Sequence, residues 1–136
     1  MSRYYYLAGR FSRKNELAEK AKQITELGGT VNARWLTGAH DASSERELTH
    51  DELRVFAMED IRDIVDAHTF VLFTETPDAG YMSGGRMVEF GIVLNDICFQ
   101  TVVIGPYENI FTRLADRQFD TWEAFIAAEF GSEVAS

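Results

Sequence analysis

The residues best equipped for chemistry lie in one short stretch, Asp78-Ala-Gly-Tyr-Met-Ser-Gly-Gly-Arg-Met-Val-Glu-Phe-Gly91. Glycines at 80, 84 and 85 allow a sharp turn and a close approach of backbone to a ligand. A Ser-Gly-Gly-Arg run (residues 83–86) placed just before a helix aims backbone N–H groups and a guanidinium at an anionic or polar guest. Glu89 follows within that helix, among Met87, Val88, Phe90 and Ile92. A carboxylate in apolar company beside an anion cradle is a candidate for chemistry. The alternative is a solvated glutamate that the helix dipole favours.

A second odd carboxylate is Asp60. Thr49-x-x-Glu52 forms a capping box, which predicts a helix over about 51–65. On its wheel Leu53, Phe56, Ala57 and Ile64 share one face, with Asp60 at the middle and Glu59 and Asp66 opposite. An aspartate on an apolar stripe must be hydrogen-bonded, shifted in pKa or lining a site, unless the helix frays there.

Strand-like runs alternate with helical ones around these two acids. Tyr4–Ala8 reads as a first strand ending at Gly9, and a helix over about 13–27 follows, with Ser12 placed to cap it and Gly28-Gly29 to stop it. Thr30–Leu36 alternates as a second strand, and residues 37–48 form a polar loop. Thr69–Thr74 and Thr101–Ile104 are continuous apolar strands, as a covered parallel sheet requires. A helix over about 86–95 lies between them. In the tail, residues 109–114 read as a short helix and Gln118-Phe119 as an edge strand. Asp120-x-x-Glu123 caps a last helix carrying Trp122, Phe125 and Ile126.

The pattern predicts an α/β fold: a single doubly wound, mostly parallel sheet of four to five strands, flavodoxin- or Rossmann-like, with helices on both faces. All 136 residues fit one domain, and a hydrophobic share of 46% suffices for a core. In such sheets ligands bind beyond the carboxyl ends of the strands, at the point where strand order reverses. That rule gathers Gly9-Arg10-Phe11, the residues after Trp35, the loop 75–86 and the loop 105–109 into one crevice with Glu89. Dinucleotide spacing of glycines is absent after Gly9, which argues against a Rossmann cofactor.

Composition narrows the classes further. A net charge of −9 argues against binding duplex nucleic acid, whose phosphates need a basic surface. No apolar run reaches the length of a membrane span, and the opening residues carry no signal-like core, so a cytoplasmic protein is expected. Cys98, the single cysteine, excludes an internal disulfide and reads as a small hydrophobe between Ile97 and Phe99. His40, His50 and His68 have no ligand-like spacing, and neither metal nor cofactor is called for.

Two blocks, Tyr5-Tyr-Leu-Ala-Gly-Arg-Phe11 and Asp78-Ala-Gly…Gly-Gly-Arg-Met-Val-Glu-Phe-Gly91, resemble the nucleoside 2-deoxyribosyltransferase family and its relatives that hydrolyse deoxynucleoside monophosphates. The resemblance extends from Tyr4 to about Ile104. It implies that Glu89 is the nucleophile, Asp60 the helix aspartate, Asp78 the loop aspartate that handles the base, and Tyr5 the strand tyrosine that steadies the nucleophile. It further implies that Ser83, six residues before the glutamate, holds a phosphate in the hydrolase branch, with Arg10, Ser12 and Arg13 on the other phosphate-side loop. Asn109 is the candidate for a polar residue lent by a neighbouring subunit, in a homodimer or higher homo-oligomer. The loop 81–86 is longer and more basic than in typical transferases, and the tail 106–111 has no clear counterpart. Similarity to phosphoribohydrolases with a Pro-Gly-Gly-x-Gly-Thr-x-x-Glu signature is weaker, because the Gly-to-Glu spacing is too short.

The expected reaction is cleavage or transfer at the N-glycosidic bond of a small nucleoside or its 5′-monophosphate. Alternatives are a nucleotide-binding sensor without catalysis and an NAD-cleaving enzyme of similar architecture. Two side chains keep open readings. Trp35 either stacks on the base or packs in the core, and Arg86 pairs either with a phosphate or with an acid.

Overall fold

The computed structural model describes residues 3–37, 48–76, 84–96 and 99–131. Asp78, Ser83, His40 and Cys98 lie outside the described residues. The elements are β1 (Tyr4–Ala8), α1 (Lys14–Glu26), β2 (Thr30–Val31), α2 (His50–Val65), β3 (Thr69–Phe73), α3 (Gly85–Leu94), β4 (Gln100–Ile104), β5 (Arg117–Phe119) and α4 (Trp122–Phe130). All five strands are parallel, in the order β2-β1-β3-β4-β5. The strand order therefore reverses between β1 and β3, which is where such a sheet opens a crevice.

The central strands β1, β3 and β4 bury both of their faces, so they need a helix layer on either side. Leu17 and Ile24 of α1 and Trp122, Phe125 and Ile126 of α4 are buried on one side. The two helices are tied by Trp122 Nε1 donating to Gln23 Oε1 at 2.8 Å. On the other side α2 packs beside α3, and an aromatic column runs from Tyr6 through Phe70 to Phe90, with ring centroids 5.6 and 6.1 Å apart. Tyr5 and Tyr6 point to opposite faces, as consecutive strand residues must. Tyr5 packs on the α1/α4 side near Phe130, and Tyr6 on the α2/α3 side.

Several local expectations are corrected by competing hydrogen bonds. The second strand stops at Val31. Continuing the ladder would bring the Arg34 N–H to the Leu7 carbonyl, but that N–H donates to Asp63 Oδ2 at 2.8 Å. The indole N–H of Trp35 takes the Leu7 carbonyl instead, at 3.0 Å, and residues Arg34–Leu36 form a 3-10 turn. Trp35 is thus a buried packing residue beside Phe11. Ser12 does not cap α1, because Phe11–Arg13 forms a 3-10 turn that leads straight into the helix. The cap of α4 is Thr121, whose hydroxyl accepts from Ala124 N, and Asp120 accepts from Gln118. The capping box at Thr49 and Glu52 forms as expected.

Candidate active site

Glu89 lies in the second turn of α3, which starts at Gly84 in the left-handed conformation (φ 85°), a position that favours glycine. The helix carries Glu89 over the α2/α3 face of β1, where the Tyr6 hydroxyl donates a short hydrogen bond to Oε2. Burial pushes the Glu89 carboxyl up to about 7, even though the Tyr6 bond favours its charged form. Tyr6 is driven well above its usual value, first by burial and then by the negative charges of Glu89 and Asp60. It therefore stays a donor at any pH of interest.

Asp60 approaches from α2. Burial first, then the charges of Glu89, Asp63 and Glu59, push its carboxyl up to about 8, while Arg34 pulls it back. Two acids so placed cannot both ionise cheaply. Glu89, with the Tyr6 bond, ionises first, and its charge then helps Asp60 keep its proton.

The correction that matters most concerns the strand tyrosine. Tyr5 does not reach Glu89; its hydroxyl donates to Glu129 on α4 at 2.6 Å, across the sheet from the acids. Tyr6 occupies the place the sequence reading gave to Tyr5. The alternation of β1 left two options, and the aromatic column to Phe70 and Phe90 selects between them.

The loops at the carboxyl ends of β1, β3 and β4 are laced together by charge. Arg86, buried with 4% of its side chain exposed, forms a double ion pair with Glu108 (Nη1 to Oε1 2.7 Å, Nη2 to Oε2 2.5 Å). Glu108 Oε1 also accepts from the Glu75 N–H at 2.9 Å. Burial works against its charge, but Arg86 and that N–H hold its carboxyl below the ordinary value. Arg86 is thus given to an acid within the fold. Arg13 is likewise engaged, with Glu75 at 2.9 Å and Glu16 at 2.7 Å.

The remaining candidates fall nearby. Gly9 sits under Leu17, where a Cβ would come within 3.0 Å of Cδ2. Arg10 precedes the Phe11–Arg13 turn, and its charge reaches Glu108. Phe11 is half-buried against Trp35 and under Lys14. Asn109 caps the 3-10 turn Ile110–Leu114 by accepting from Phe111 N and Thr112 N at 2.9 and 3.1 Å, so its oxygen already serves its own backbone. Gly85 opens α3 with open space around its Cα.

The sequence reading missed Tyr6, Glu108, Asp63 and Arg34. It also placed Glu59 on a wet face, whereas Glu59 is half-buried against Arg34. Among the described residues no group of three or more His, Cys, Asp or Glu is placed to hold a metal ion. No described helix is long and apolar enough to cross a membrane.

Against known proteins, no family profile and no curated sequence matches the chain. Among solved structures it is similar to the 2-deoxyribosyltransferase of the psychrotolerant bacterium Bacillus psychrosaccharolyticus. The TM-score is 0.69 at 18% identity, covering 90% of this chain and 89% of that one. The chain shares the 2-deoxyribosyltransferase fold. That protein is described as a suitable biocatalyst for the industrial synthesis of antiviral and antitumoral nucleosides.

Proposed function

We propose that the chain cleaves or transfers the N-glycosidic bond of a small (deoxy)nucleoside or nucleoside 5′-monophosphate, with Glu89 as nucleophile. The observation that carries this reading is the half-buried acid pair itself. One carboxylate is held by a tyrosine and ionises near 7, and a second holds its proton to about 8. The shared fold supports the substrate class. Such a pair suits a bond whose rupture leaves positive charge on the sugar and negative charge on the base.

In this scheme a Glu89 oxygen attacks the anomeric carbon as the C–N bond breaks. The bonding electrons leave on the base nitrogen, which takes the Asp60 proton. The resulting glycosyl ester is opened by water, whose proton returns to Asp60, or by the nitrogen of a second base. Tyr6 holds Glu89 in place and donates to it before attack and after release. Gly9, Arg10, Phe11, Gly84 and Gly85 would line the guest, with Asp78 and Ser83 of the connecting loop as further ligands. Arg86 and Asn109 would act indirectly, by fixing the loops.

The protein is further proposed to act as a homodimer or higher homo-oligomer. Val55, Met58, Ile61 and Val65 form an exposed row on α2, beside exposed Val88 and Ile92 on α3. Covering an exposed apolar row of this kind is what an interface between copies would do.

Incubation with a panel of nucleosides, 5′-monophosphates and NAD, followed by chromatography of released base, tests the activity. Release by the wild type and its loss in Glu89→Gln is the expected result. Ligand binding without release by either would instead favour a sensor.

A further inference from the structure

Glu59, Asp60 and Asp63 crowd one turn of α2, and a single cation reaches across to them from the end of β2. Arg34 donates to Asp63 through its backbone N–H (2.8 Å) and Nε (3.0 Å to Oδ1). Its Nη1 reaches Glu59 Oε2 at 3.3 Å, and its Nη2 reaches the Glu59 carbonyl, also at 3.3 Å. Glu59 and Asp63 are one turn apart, so they share a side of the helix. Asp60 lies beside them, on the side of buried Ile64.

We propose that Arg34 is a positioning residue for Asp60. By gripping the acids one position before it and three positions after it, Arg34 fixes the face that α2 turns toward Glu89 and balances the charge around the Asp60 carboxyl. The proposal rests on the reading of Asp60 as the proton donor to the leaving base. Nothing in the sequence signals it, because Arg34 reads as an ordinary polar position of an alternating strand.

Among the described residues, the charged and titratable groups that act most on Asp60 come from four elements. They are Glu89 on α3, Glu59 and Asp63 on α2, Tyr6 on β1 and Arg34 after β2. Of these only Arg34 is positive. Its guanidinium is partly exposed, whereas Asp63 is nearly covered, so the buried acid depends on the cation more than the reverse. Arg34 therefore opposes the three carboxylates that make Asp60 hard to ionise. Without it Asp60 would keep its proton to still higher pH, and would return as a base for the water step less readily.

The test is a carboxyl-carbon NMR titration of Asp60, which needs no turnover, in the wild type, Arg34→Lys, Arg34→Gln and Asp63→Asn. Arg34→Gln keeps the backbone N–H bond to Asp63 and removes the charge. Its Asp60 midpoint should rise by roughly half to one pH unit, and Arg34→Lys should lie close to wild type. Asp63→Asn removes a negative neighbour and should move the midpoint down. General loosening of the fold would not give opposite signs. The alkaline limb of the base-release profile should follow the titration in each variant. An Asp60 midpoint unmoved in folded Arg34→Gln overturns the proposal. Should that variant not fold, an unmoved or raised midpoint in Asp63→Asn overturns it. If the wild type releases no base from any substrate, the glycosidase reading fails while the titration still decides the role of Arg34.

Discussion

The Tyr6 hydroxyl and the Glu89 carboxylate form the contact on which the proposed chemistry would depend. A hydrogen bond to the charged form of an acid lowers its pKa, so removing it must raise that value. Tyr6→Phe should shift the acidic limb of the base-release profile upward and lower kcat by about 10- to 100-fold. Tyr5→Phe, across the sheet, should leave the limb in place and cost about 1 kcal/mol of stability through the lost bond to Glu129. With Glu89 ionising near 7 and Asp60 near 8, the wild-type profile should peak between those values. The same acids govern stability. Both bind protons more tightly folded than unfolded, so the stabilisation is full below about pH 4 and is lost as pH rises through 7 and 8. Urea melts at pH 5 and pH 8 should show that fall, and Glu89→Gln should reduce it by on the order of 2 kcal/mol. Glu89 and Asp60 were legible as residues, one from its glycine-rich approach and the other from its place on an apolar stripe. Their tyrosine was not, since a strand gives both faces equal claim until helices are packed on them.

At the scale of elements, the buried Arg86–Glu108 pair is what joins the start of α3 to the loop after β4. Gly105 allows the loops to approach so closely: it sits at φ 114°, and a Cβ there would lie 2.6 Å from Thr74 Oγ1. Breaking one side of a buried ion pair leaves an uncompensated charge, so Arg86→Met should cost about 3 kcal/mol, measurable by denaturant unfolding. If Arg86 instead served mainly a ligand phosphate, that variant would keep its stability and lose affinity for monophosphates alone. Most elements were readable from periodicity and caps, as Thr49 and Glu52 illustrate. The failures share a cause. At Arg34, Trp35 and Thr121 a side chain settled a backbone N–H or carbonyl that the pattern had assigned to a ladder or to a neighbouring cap. Such choices depend on partners distant in sequence, which periodicity does not carry.

At the scale of the molecule, the parallel sheet and its helix layers followed from the alternation of apolar runs, whereas the strand order, with its reversal between β1 and β3, came only with the structure. The exposed apolar row on α2 was less legible, because it alternates with charges that mask it in sequence. If two copies meet there, Met58→Glu should convert a dimer into a monomer in sedimentation while the far-UV spectrum is unchanged. No shift in mass would place the interface elsewhere. Because Asp60 and Glu89 lie on the same two helices, that variant should also lower activity.

The most direct test is to trap the sugar on the enzyme. A 2′-deoxy-2′-fluoro-arabinonucleoside disfavours the positive sugar and slows opening of the ester. Mass spectrometry of the digested protein should show one fluorosugar added to the peptide containing Glu89, and none in Glu89→Gln. Release of base with the adduct on another residue, or undiminished release by Glu89→Gln, would contradict the account.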